Sequence, residues 1–244
     1  VVVSNAPEPV RTLPTLSAAD LHLERLSDVT VVVYGAVLSY ALFLVAQQGG
    51  LLLAALHANT YQLPLAKVLM LSLVCDYMIA DFVEAQVFTH AVPYQDKTRF
   101  ALDLLISMSF LGACEFAGQG SRIVLPALGS AVLLGAMWGV RLRIDGRNRY
   151  EWTYPACVVG THVAGAMLAF AGYKLGRKTF GLPFAYNVWT CYLAWLFLVA
   201  GAKEFWGVPE PADFNIAPVS IVAWVAHKST RLVFGWWKNL GQKK

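Results

Sequence analysis

The chain of 244 residues is 57% hydrophobic and only 14% charged, with a net charge of +4 and a mean hydropathy of +0.54. A soluble domain of this length cannot cover so much apolar surface with so few charges, so the composition excludes a water-soluble globule and points to a polytopic membrane protein. The positive balance does not point to nucleic acid, because the cations sit between apolar stretches and at the C-terminus, where anionic lipid headgroups meet them.

Residues 1–16 contain Pro7, Pro9 and Pro14 and read as an extended tail outside the membrane. The polar first 28 residues, with Glu8, Asp20, Glu24 and Asp28, do not resemble a cleaved signal, so the first span is expected to be retained. Ser17 followed by Asp20 resembles a capping box, which predicts a helix starting there and running toward the first span. A hydrocarbon core about 30 Å thick needs about 20 helical residues. On that measure the expected first span covers residues 29–46 and is ended by Gln47, Gln48, Gly49 and Gly50, with a short interfacial piece over 51–58. Further spans are expected at 64–88, 100–117, 123–140, 154–173 and 184–202. The fold class is therefore an all-α bundle of about six transmembrane helices over residues 17–203.

Residues 204–244 form a linker with Pro209 and Pro211 followed by an amphipathic segment over 220–240. A seventh span there is hampered by His227, Lys228 and Arg231 at its centre, each costing about 2.5 to 3.5 kcal/mol on insertion scales. The preferred reading is a helix lying in the membrane interface, with Trp224, Trp236 and Trp237 at headgroup depth and Lys228, Arg231 and Lys238 toward the phosphates. The four cysteines, Cys75, Cys114, Cys157 and Cys191, fall inside apolar spans without a CxxC pair and read as small core residues.

Arginine and lysine flank the first, second and fourth spans and crowd the C-terminus. The positive-inside rule therefore favours both ends in the cytoplasm of an inner or plasma membrane. The cluster Lys174, Arg177 and Lys178 on the opposite side argues against it.

The second span places Asp76, Asp81 and Glu84 where lipid-facing residues are apolar, so these acids must face other helices, water or cations. At about 100° per residue, Tyr77, Asp81 and Glu84 share one stripe. The third span brings Arg99 and Asp103 to the depth of Asp81 and Glu84, and the first brings Arg25 and Asp28 there, predicting a charged layer near the cytoplasmic face. Such a layer either pairs internally and fixes helix register, or attracts a cation or holds a proton. His162 reads as a core histidine, and Glu115 and Arg122 as markers of the outer interface. No GxSxG, HExxH, P-loop or GxGxxG motif supports an enzyme, and no motif names a metal, haem or nucleotide cofactor; lipid is the expected small-molecule contact.

Arg25-Leu26-Ser27-Asp28 at the first of six spans resembles the Arg, Phe-Ser-Asp signature of the bacterial and lysosomal six-helix potassium and proton leak channels. The resemblance implies that Arg25, Ser27 and Asp28 form a network holding a pore-forming first helix. Leu26 stands in place of the phenylalanine, and Asp81 and Glu84 occupy the region where those channels carry a tryptophan and a histidine.

Two functions follow from the sequence. One is a cation or proton pathway along Asp76, Tyr77, Asp81 and Glu84, in a protein expected to be a homo-oligomer or to join other membrane subunits. The other is a non-catalytic subunit of a larger membrane complex that clamps partner proteins, lipids or pigments with its aromatic surfaces.

Overall fold

The computed structural model describes residues 18–91, 94, 97–145, 153–205, 225 and 228–236. They form α1 (Ala18–His57), α2 (Gln62–Ala91), α3 (Lys97–Gln119), α4 (Val124–Asp145), α5 (Thr153–Leu175) and α6 (Leu182–Phe205), and a short α7 over residues 228–236. Among the described residues, Leu26–His57, Gln62–Gln86, Lys97–Gln119, Val124–Ile144 and Leu182–Ala202 are long and apolar enough to cross a membrane. The helix between the last two, α5, has 23 residues. It carries the chain from the far end of α4 back to the start of α6. The protein is a polytopic helical bundle.

Pairwise contacts fix the direction of each helix. Tyr34 meets Phe82 while Leu44 approaches Gly118, so α2 runs against α1 and α3 runs with it. Gly129 faces Phe170 and Gly135 faces His162, making α4 and α5 antiparallel. Around the bundle the neighbours run α1, α2, α6, α5, α4, α3 and back to α1, with α2 also touching α3 across the interior.

The first helix differs from expectation. Gln47, Gln48, Gly49 and Gly50 do not end it; α1 is one helix of 40 residues that includes the piece expected to lie separately in the interface. Two glycines cost about 1 kcal/mol each relative to alanine, and the good helix formers that follow, Leu51, Leu52, Leu53, Ala54, Ala55 and Leu56, continue the helix past them. The true stop comes at Asn59, whose φ of 58° is left-handed. There Thr60 N–H donates to Ala55 O at 3.1 Å and Asn59 N–H to Leu56 O at 3.5 Å, a Schellman closure. The third helix ends the same way at Gly120, φ +76°, with Ser121 N–H on Phe116 O at 2.8 Å.

Several serine and threonine hydroxyls inside the helices bond to their own helix, as an apolar surrounding favours. Ser39, Ser107, Ser109, Ser130, Thr161 and Thr190 each donate to the carbonyl one turn back at 2.8 to 2.9 Å. Arg122 closes the other end of α5, donating to Tyr173 O and, at 3.3 Å, to Lys178 O. A cation on the terminal carbonyls also suits the negative end of that helix. The bundle core is aromatic: Tyr77 sits edge-on to Phe110, Tyr192 and Trp195. Large apolar side chains such as Val32, Phe43, Leu53, Met108 and Met167 point outward, as lipid contact requires. Cys75, Cys114 and Cys157 are buried as expected, but Cys191 is exposed on the outer face of α6.

Candidate functional site

Each acid inside the bundle could have found a basic partner, water or another acid; four of them find a tyrosine from another element. Tyr192 on α6 donates to Asp76 Oδ2 at 2.6 Å. Tyr34 on α1 donates to Asp81 Oδ2 at 3.1 Å. Tyr94, in the connection between α2 and α3, donates to Asp103 Oδ2 at 2.6 Å. Tyr40 on α1 donates to Glu115 on α3 at 2.5 Å, and Gln119 adds a second bond to that carboxylate at 2.7 Å. A phenol brings a donor on an apolar ring, so it satisfies a carboxylate in hydrocarbon without burying a second charge.

Asp81, Glu84 and Asp103 lie close enough for each of the other two to act on Asp81 through its charge. Asp103 and Arg99, one turn apart on α3, are both fully buried. The Arg99 guanidinium lies between the rings of Tyr94, 5.0 Å away, and Trp138 of α4, 4.9 Å away. Its Nη2 donates to Thr89 Oγ1 near the end of α2 at 3.2 Å. Thr30 of α1 completes the cluster, its hydroxyl 3.0 Å from Leu26 O and 3.3 Å from Tyr94 Oη. The single Tyr94 proton is committed to Asp103, so the one Thr30 proton serves either Leu26 O or Tyr94 Oη. Five elements therefore meet at one end of the bundle around one arginine and one aspartate. Burial and the neighbouring Asp103 carboxylate push the Tyr94 phenol above its ordinary range, which keeps it a donor.

The charged layer expected from sequence is thus partly assembled. Arg99, Asp103, Asp81 and Glu84 share it, whereas Asp28 lies on the exposed face of α1 and Ser27 is half-buried beside it. The side chain of Arg25 lies outside the described residues, as do Trp224, Trp237 and Lys238. Of the expected interfacial residues, Lys228 and Trp236 are exposed, and Arg231 pairs with Glu204 at the end of α6 at 3.0 Å.

Tyr77 is buried at 5% exposure, yet its hydroxyl has no hydrogen-bond partner among the described residues. Its ring lies 6.3 Å from that of Tyr192, which holds Asp76. Such an orphan group costs about 1–3 kcal/mol of desolvation. In the chain Tyr77 lies between Asp76 and Asp81, the two α2 aspartates held by tyrosines.

None of the four tyrosine partners, Tyr34, Tyr40, Tyr94 and Tyr192, was named from the sequence. The one available signal was that a phenol within a span needs an acceptor, and the acids are the acceptors at hand. His162 is packed as expected, its ring against Gly135 and edge-on to Trp195 at 6.0 Å. Glu115 and Arg122 do more than mark an interface, since one joins α1 to α3 and the other caps α5. Comparison with protein-family models, curated proteins and solved structures returns no match.

Proposed function

We propose that this membrane protein provides a proton pathway along α2, through Asp76, Tyr77, Asp81 and Glu84, opening toward Asp103 at the end where α3 begins. The observation that carries the reading is the buried Tyr77 hydroxyl, without a hydrogen-bond partner among the described residues, on the same helix as two acids that are each held by a phenol. Carboxyls and phenols both accept and donate protons, so a relay needs only such groups, bridged by single waters, and no wide bore. The aromatic filling between α2, α3, α5 and α6 favours a proton over a hydrated metal cation. The route lies along α2 and not at the leak-channel signature, because Asp28 faces outward. Both chain ends are placed in the cytoplasm of an inner or plasma membrane on the distribution of arginine and lysine.

The test is flux of protons and of potassium into liposomes carrying the purified protein, beside Asp76→Asn and Asp81→Asn. Proton flux that vanishes in correctly assembled variants is the expected result; absence of any flux from folded wild type rejects the pathway.

A second reading rests on the same pairs taken as bolts. Tyr34–Asp81, Tyr40–Glu115 and Tyr192–Asp76 each join two helices, as a rigid non-catalytic subunit of a larger complex requires. Under that reading the protein co-purifies with partner subunits in mild detergent and carries no flux alone.

A further inference from the structure

The short α7 has two unlike faces. Thr230 is buried, Phe234 is half-buried and reaches toward Gly201 of α6, and Arg231 Nε is 3.0 Å from Glu204 Oε1. These residues dock the helix on the end of α6. Lys228, Leu232 and Trp236 recur every four residues, so they drift only about 40° each and form one stripe. That stripe lies on the other side: Lys228 is exposed, Leu232 is 75% exposed and Trp236 66%. A stripe of leucine and tryptophan with a lysine is unfavourable in water and suited to the boundary between acyl chains and headgroups.

Charge decides what meets it. Residues 220–244 carry Lys228, Arg231, Lys238, Lys243 and Lys244 and no acid. Glu204 pairs with Arg231, whereas Lys228 is exposed. The same end of the bundle carries Lys97, exposed at the start of α3, and Arg141 and Arg143 in the last turns of α4. We propose that α7 is a binding surface for anionic phospholipid headgroups, in which Arg231 serves the protein, pinning the helix to α6, and Lys228 serves the lipid. The division of labour between two cations three residues apart is the new element, and it does not depend on whether α2 carries protons.

Hydrogen–deuterium exchange of residues 228–236 tests it, in full-length protein reconstituted into nanodiscs of phosphatidylcholine alone or of phosphatidylcholine with phosphatidylglycerol. Exchange is expected to be slower in the anionic discs by about fivefold for each cation engaged, and high salt is expected to erase the difference. Lys228→Gln should shrink the anionic effect while α6 keeps its protection. Arg231→Gln should speed exchange of α7 in both discs. Equal exchange in the two compositions overturns the proposal. So does protection that rises with protein concentration in lipid-free detergent, which would assign the stripe to a second copy of the chain.

Discussion

The two halves of the bundle are held together by different chemistry. In α1, α2 and α3 the contacts between elements are tyrosine–carboxylate hydrogen bonds: Tyr34–Asp81, Tyr40–Glu115 and Tyr94–Asp103. Between α4, α5 and α6 they are close steric fits. A Cβ at Gly135 would lie 2.8 Å from the His162 ring, and one at Gly165 would lie 2.8 Å from Trp195 and 3.2 Å from Val132. The Trp195 indole then donates to a backbone acceptor, Thr161 O, at 2.9 Å. Small residues let helices approach where no hydrophobic force between them exists in lipid. One half thus adds tyrosine–carboxylate hydrogen bonds to its packing, and the other relies on close approach at glycines. Asp76 and Tyr192 carry that hydrogen-bond chemistry across to α6.

The largest effect is expected in the second half. Gly165→Ala forces Trp195 away and strains its bond to Thr161, and should cost about 2–3 kcal/mol in detergent unfolding. An unchanged unfolding midpoint would mean that three helices do not meet at Gly165. Tyr94→Phe comes next, at about 1–2 kcal/mol, because it strips a donor from buried Asp103. Its pH dependence sharpens the contrast. The folded phenol is raised above its ordinary value of 10.0, so its contribution is complete below pH 10 and is lost as pH rises toward the folded value. Wild type should therefore lose stability in alkali more steeply than Tyr94→Phe, and identical slopes would remove Tyr94 from the account.

Tyr34→Phe, which removes one bond to Asp81, should cost about 0.5–1 kcal/mol, the usual worth of an interhelical hydrogen bond in a bilayer. A loss as large as that of Gly165→Ala would mean that the hydrogen-bonded half is the more rigid. Glu204→Gln is the smallest: the pair it breaks is partly solvated and should be worth under about 1 kcal/mol, read as loosening of α7 with α1–α6 unchanged.

Hydropathy made the helices legible, since about 20 apolar residues have one fate in a bilayer. It also made the inward orientation of Asp76 and Asp81 legible, because lipid cannot take a bare carboxylate. The partners were not legible. Tyr192 lies 116 residues from Asp76 and Tyr34 lies 47 from Asp81, and such pairings are set by which helices become neighbours. The single α1 was hidden by local chemistry, because two glycines and two glutamines look like a stop although the apolar run beyond them, Leu51 to Leu56, continues the helix to the left-handed turn at Asn59. Asp28 was misplaced for the same reason: sequence gave its depth but not its side of α1.

The most direct measurement is proton flux through Tyr77→Phe in liposomes under an imposed pH gradient, with the unfolding midpoint measured on the same sample. The hydroxyl has no hydrogen-bond partner among the described residues, so its removal should leave stability equal or higher. The account predicts that flux falls to the level of protein-free liposomes while the protein stays folded. Wild-type flux in Tyr77→Phe would contradict it and leave the tyrosine–carboxylate pairs as structural bolts alone.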